Sequence, residues 1–188
     1  MRIGYVGQNL SLDCTPAITF RLASYSAERL RTTVAANFAC MERVLQYSPQ
    51  HGLLYYRITS DLVPFASHEV CDFDWQTEFA GELARLGAFV RAHGMRVAMH
   101  PGQYILIGSP DEGTFGRSVA ELVYHAQVLD LMGMDTSAKL QIHVGGVYGD
   151  KAASSARFVE RCAGLPPAVL RRLAIENDER LYGVADCV

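Results

Sequence analysis

The chain has 188 residues, 49% of them hydrophobic and 20% charged, with 17 Lys and Arg against 20 Asp and Glu for a formal net charge of −3. This composition belongs to a globular protein with a real core, and the length predicts one domain over residues 1–188. The charge excludes a nucleic-acid binder that works through a global positive field, so any DNA contact must be local.

Arg2–Val6 reads as a first strand, and a polar loop carrying Asn9, Asp13 and Pro16 follows it. Met1-Arg2-Ile3 leads into that strand instead of a secretory signal, and no apolar run reaches the roughly 18 to 20 residues that span a bilayer. The expectation is a cytoplasmic protein without membrane contact. A helix from about Ala27 to Gln46 is capped by Ser24 or Ser26 and carries the stripe Leu30, Val34, Phe38, Met41 and Leu45. Leu53–Ile58 is a second strand, and its loop through Asp74 contains His68. One helix spans about Trp75 to Ala92 on Phe79, Leu83, Leu86 and Val90, with His93-Gly94 as its stop. Arg96–His100 is a third strand, ended by Pro101-Gly102, and Gln103 and Tyr104 project from that turn. A helix from about Thr114 to Met132, strand Lys139–Val144, the glycine-rich loop Gly145 to Gly149, a helix from about Ala152 to Cys162, a turn around Pro166–Arg172 and strand Leu173–Glu176 complete the series.

Short apolar strands separated by helix-length segments form a βαβ series, hence a parallel sheet with strands buried on both faces. Parallel strands send their C-terminal ends to one edge. His100, His143 and Glu176 each close a strand and therefore converge there, with His68 in the loop after strand two as a fourth candidate. Imidazole and carboxylate together suit a borderline divalent cation such as Zn²⁺ or Mn²⁺. A carboxylate at the end of a buried strand is costly unless paired or metal-bound, which makes Glu176 the most demanding of the four. His51 and His93 read as helix-exit residues on the opposite edge, and His125 as a mid-helix residue. Gln103 and Tyr104, on a stiff turn, have the chemistry to enter a base stack; Tyr5, Asn9 and Tyr148 share the rim and could equally line a sugar pocket. Five cysteines, Cys14, Cys40, Cys71, Cys162 and Cys187, with no CxxC pair, read as reduced thiols, with Cys40 in a core. The basic groups Arg29 with Arg31, Lys151 with Arg157 and Arg161, and Arg171-Arg172 read as solvated faces.

Five strands allow an open doubly wound sheet or the N-terminal part of a barrel; Gly4 to Asn9 contains no GxGxxG turn, which favours the barrel. Gly4-Tyr5 with Asn9-Leu10, Phe65-Ala66-Ser67-His68, Met99-His100-Pro101-Gly102-Gln103-Tyr104, the run from Ile142 to Lys151 and Leu173 to Glu179 resemble the ultraviolet damage endonucleases, in order and over the whole chain. The resemblance implies an α/β TIM (β/α)₈ barrel, of which this chain holds the N-terminal five strands and four helices. It implies a site for two or three Mn²⁺ ions and hydrolysis of the phosphodiester immediately 5′ of cyclobutane dimers, 6-4 photoproducts and some abasic sites in damaged double-stranded DNA. On the matching positions, His68, His100, His143 and Glu176 are metal ligands, with His100, His143 and Glu176 at the catalytic centre. Gln103 and Tyr104 probe the duplex, Tyr5 holds the flipped dipyrimidine, and Asn9 faces DNA. Family members continue through three further strands with additional ligands, so the expectation is a truncated chain with an exposed apolar edge and a tendency to self-association, and with no obligate protein partner. A metal-dependent sugar isomerase or epimerase on the same barrel, and a non-catalytic fragment, are the alternatives.

Overall fold

In the computed structural model, which describes residues 2–102 and 104–188, five parallel strands form one sheet in the order β1-β2-β3-β4-β5. They are β1 Gly4–Val6, β2 Tyr55–Ile58, β3 Arg96–Met99, β4 Lys139–His143 and β5 Leu173–Glu176. The order advances one strand at a time and never reverses, which is a sector of a barrel and not a doubly wound sheet. Right-handed crossovers that all advance the same way place every helix on one face of the sheet.

These helices are α1 Ala27–Gln50, α2 Trp75–Glu78, α3 Ala80–Ala92, α4 Glu112–Leu131, α5 Lys151–Ala163 and α6 Pro167–Leu170. Ser26 caps α1, its side chain accepting the Arg29 N–H. The expected stripe of α1 is buried throughout, as are Phe79, Leu83, Leu86 and Val90. The single helix expected from Trp75 to Ala92 is instead two, because Phe79 leaves helical geometry (φ −108°, ψ 13°) to reach the core, where its ring meets Phe38 at 5.2 Å and Phe73 at 6.3 Å. No helix among the described residues is long and apolar enough to cross a membrane.

Burial on both faces of the strands does not hold. In β2 and β4 burial alternates, with Tyr56, Ile58, Leu140 and Ile142 buried against the helices while Tyr55, Arg57, Lys139, Gln141 and His143 are half-buried on the other face. All helices lie on one side, so the second face keeps polar side chains, and Tyr55 Oη donates to Gln141 Oε1 across it at 3.5 Å. The register pairs His143 with Glu176 and Ala98 with Lys139, which puts His100, His143 and Glu176 on that same half-open face.

Two further expectations are corrected. Cys14 and Cys40 are joined as a disulfide, because the β1–α1 loop folds back along α1 and brings residues 26 apart in sequence to a Cα separation of 5.8 Å. Cys71, Cys162 and Cys187 are free, and Cys40 is buried. The basic groups are not merely solvated faces. Arg172, 4% exposed, binds the carbonyls of Met134, Asp135 and Ala138 and the carboxylate of Asp130. Arg157 and Arg161 bind carbonyls of Gly108, Ile107 and Ser109, and Arg31 pairs with Glu78.

Candidate functional site

β3, β4 and β5 deliver three side chains to one point. One ligand-capable atom each of His100, His143 and Glu176 lies within 4.8 Å of the other two. The imidazole rings are 5.3 Å apart, and His100 Nε2 approaches Glu176 Oε2 at 3.2 Å. His100 Nδ1 bonds the Pro101 carbonyl (2.8 Å) and His143 Nδ1 the Glu176 carbonyl (3.2 Å). A carbonyl only accepts, so both rings carry a proton on Nδ1, and Nε2 is the nitrogen each can offer to a metal. This is the arrangement of a metal-ligating histidine with its second nitrogen anchored to the protein.

The residues fit a divalent cation on a further ground. Glu176 Oε2 is shielded from solvent and has no aligned hydrogen-bond donor among the described residues. An orphaned buried acceptor costs about 1–3 kcal/mol, and more when charged; a cation at this point removes that cost. Two imidazoles and a carboxylate are the donor set of Zn²⁺ and Mn²⁺ sites.

His68 stands apart from this trio. It is exposed, and its Nδ1 accepts the Val70 N–H at 3.0 Å, which leaves the proton on Nε2. Ligation by His68 requires a different tautomer or the loss of that bond.

On the rim, Tyr104 is 87% exposed; Gln103 lies outside the described residues. Tyr5 pairs in register with Tyr56 and so faces the helices, its hydroxyl bonded to Ser48 of α1 (3.1 Å) and accepting from Asn9 Nδ2 (2.8 Å). Asn9 is buried, and its Oδ1 accepts the Ser11 N–H. This pair shapes the loop after β1, with its polar atoms turned inward. Asp178, after β5, accepts backbone N–H groups of Arg180, Leu181 and Tyr182, and these bonds, with a smaller contribution from His143, hold its carboxyl below the usual range. It stays ionised beside the site while its oxygens organise the loop. His51 and His93 behave as helix exits, each bonding the carbonyl four residues back and stacking on Tyr47 and Phe89.

Sequence reading missed Asn37. Fully buried in α1, it binds Ile18 through both N–H and carbonyl and also the carbonyls of Asp61 and Leu62, fastening the loops after β1 and β2 to one helix. An amide on the buried side of an apolar stripe was the available signal. Arg157 and Arg161, which hold the loop after β3, carried none beyond their charge.

A family model described as UV-endonuclease UvdE matches residues 1–188. A UV DNA damage endonuclease of Clostridium perfringens (strain 13 / Type A) is 32% identical over 186 residues, covering 99% of this chain and 45% of its own length. Another, of Bacillus pumilus (strain SAFR-032), is 35% identical over 189 residues, covering 96% of this chain and 59% of its own length. The crystal structure of SacUVDE superposes with a TM-score of 0.96 at 38% identity, covering 100% of this chain and 64% of that one. The chain thus spans about half the length of the curated relatives it matches.

Proposed function

Since the chain belongs to the UV-endonuclease UvdE family, we propose that it carries part of a metal-dependent DNA repair endonuclease that nicks duplex DNA immediately 5′ of ultraviolet photoproducts and some abasic sites. A cytoplasmic location belongs to the same reading. The observation that carries it is the trio His100, His143 and Glu176, two imidazoles anchored through Nδ1 and a carboxylate oxygen with no aligned donor among the described residues, on one sheet edge. We assign Mn²⁺ as the ion, with His68 joining after rearrangement of its loop. A divalent ion bound here supplies an acidified water and offsets charge on the phosphoryl and leaving oxygens.

The chain's own groups do the rest. The Pro101 and Glu176 carbonyls fix the two imidazoles in the ligating tautomer, and Glu176 supplies the negative charge that holds a cation at this edge. Tyr104, with Gln103, enters the duplex where a damaged pair stacks poorly; selection then follows the lower cost of unstacking and tolerates different lesions. Tyr5 and Asn9 complete the reading as the residues that shape the rim towards the extruded dipyrimidine.

The test is nicking of ultraviolet-irradiated supercoiled plasmid in Mn²⁺, with and without chelator. Chelator-sensitive nicking of irradiated plasmid alone is the expected result. Glu176→Gln should abolish it, by about 100-fold or more as expected for loss of a group that acts in the transition state, while binding to a thymine-dimer duplex persists. Nicking retained by Glu176→Gln removes Glu176 from the centre. Turnover of ketoses without nicking would select the sugar isomerase instead.

A further inference from the structure

We propose that Tyr148 is a nucleic-acid contact, an aromatic platform for an unstacked base, held by Arg157 in the loop that follows His143; this rests on reading the chain as part of a DNA repair endonuclease. Among the described residues, Phe65 (φ 61°) and Tyr148 (φ 46°) are the non-glycine residues in the left-handed region, and they lie in the loops that leave the C-terminal ends of β2 and β4. Phe65 is explained by packing, its ring meeting Phe20 at 5.1 Å and Tyr25 at 6.0 Å. Tyr148 has no such explanation, for it is 44% exposed. A strained backbone that holds a large ring in solvent marks a residue placed for a purpose other than stability.

The surroundings fix that ring. Gly145 (φ 103°) and Gly149 (φ 86°) flank it in the same loop. The ring lies over Gly146, where an added Cβ would come within 3.2 Å of Tyr148 Cζ, so any larger residue there displaces it. The Arg157 guanidinium carbon sits 5.7 Å from the ring centroid, while Arg157 Nε donates to the Gly108 carbonyl at 2.8 Å. Ser154 Oγ donates to the Val147 carbonyl at 2.6 Å, and Tyr182 Oη to that of Gly146 at 3.5 Å. One guanidinium thus ties the loop of Tyr148 to the segment that follows Tyr104, the other exposed aromatic of this rim. A ring already immobilised loses little entropy when a base stacks on it. Stacking also needs no positive field, which agrees with a net charge of −3.

Trp75, the chain's one tryptophan, is buried, so Tyr148→Trp places an exposed reporter at the rim. Titration with a duplex carrying one thymine dimer, an undamaged duplex and a single strand should quench that fluorescence in step with binding measured by anisotropy. Tyr148→Gly, whose new residue accepts positive φ freely and so keeps the fold, should weaken dimer-duplex binding by about tenfold, and Tyr148→Phe by less than about twofold. Arg157→Lys keeps the charge and loses the bond to Gly108; its loss should be non-additive with that of Tyr148→Gly. Unquenched fluorescence at saturating duplex, or wild-type affinity in Tyr148→Gly, overturns the proposal. Wild-type binding that ignores the dimer defeats the repair reading, while quenching still decides Tyr148. Failure to bind any nucleic acid defeats both.

Discussion

His125 shows how a single side chain reports on the ground beneath the site. It has no exposed surface, its Nδ1 bonds the Glu121 carbonyl at 2.7 Å, and its Nε2 has no partner among the described residues. Burial pushes its pKa down to about 4 from 6.5, with a smaller contribution from His100. The folded state therefore refuses a proton that the unfolded chain takes up near pH 6.5, and stability falls as pH drops from about 6.5 to about 4. The linkage is worth on the order of 3 kcal/mol across that window. Glu121 and Asp61 run the other way, because burial raises both carboxyls, so their contribution is lost as pH rises through their folded values. The measurement that isolates the histidine is the difference in urea-unfolding free energy between wild type and His125→Phe. That difference should change by a few kcal/mol from pH 7 to pH 4, and a flat difference would mean that the imidazole is hydrated in the folded protein.

At the scale of elements, helix contacts impose requirements that composition does not reveal. A Cβ on Gly87 of α3 would fall 1.7 Å from the Met132 carbonyl oxygen just beyond α4. Alanine gains about 1 kcal/mol in helix propensity over glycine, yet the overlap forces the helices apart and costs about 1–3 kcal/mol by overpacking. Gly87→Ala should therefore lower the thermal midpoint, read by circular dichroism, and a raised midpoint would show that α3 and α4 slide without penalty. The Cys14–Cys40 bond closes a loop across a separation of 26 residues, worth about 3 kcal/mol by chain entropy, so reductant should lower the midpoint by about 6–12 °C. Titration of the unreduced, denatured chain should find three thiols; five would remove the bond. The strand ends that carry His100, His143 and Glu176 were legible because a short apolar run between helix-length segments marks a parallel strand, and the last residue of such a strand has a fixed destination. The break at Phe79, the Cys14–Cys40 pairing and the contacts of Asn37, Arg157 and Arg172 were not, because each depends on a partner far away in sequence. His68 and Tyr5 show the same limit: their loop and strand were legible, but the hydrogen bonds that orient the rings were not.

On the scale of the whole molecule, the uniform strand order decides what the charge distribution does. Because every strand runs the same way and every crossover advances by one position, the groups at the C-terminal edge belong to one surface. Glu176 ends β5 there, Asp178 and Glu179 follow it, with Glu179 paired to Arg180 at 3.7 Å, and the chain as a whole carries −3. A phosphate approaching this edge is repelled unless a cation intervenes; two unit charges 4 Å apart interact by about 4 kcal/mol at an effective dielectric of 20. Asp178 adds to the repulsion at neutral pH, since the loop N–H groups that bond it hold its pKa low. Chelator should therefore weaken binding of a thymine-dimer duplex as well as stop nicking, by an amount that shrinks as added salt screens the charges. Glu176→Gln removes one of those charges, so in chelator it should bind the duplex more tightly than wild type, while in Mn²⁺ the order should reverse or vanish. Anisotropy titrations of both proteins with and without chelator give the four affinities required. Equal wild-type affinity in both conditions would show that the duplex is held by contacts remote from this edge and that the trio serves the chemistry alone.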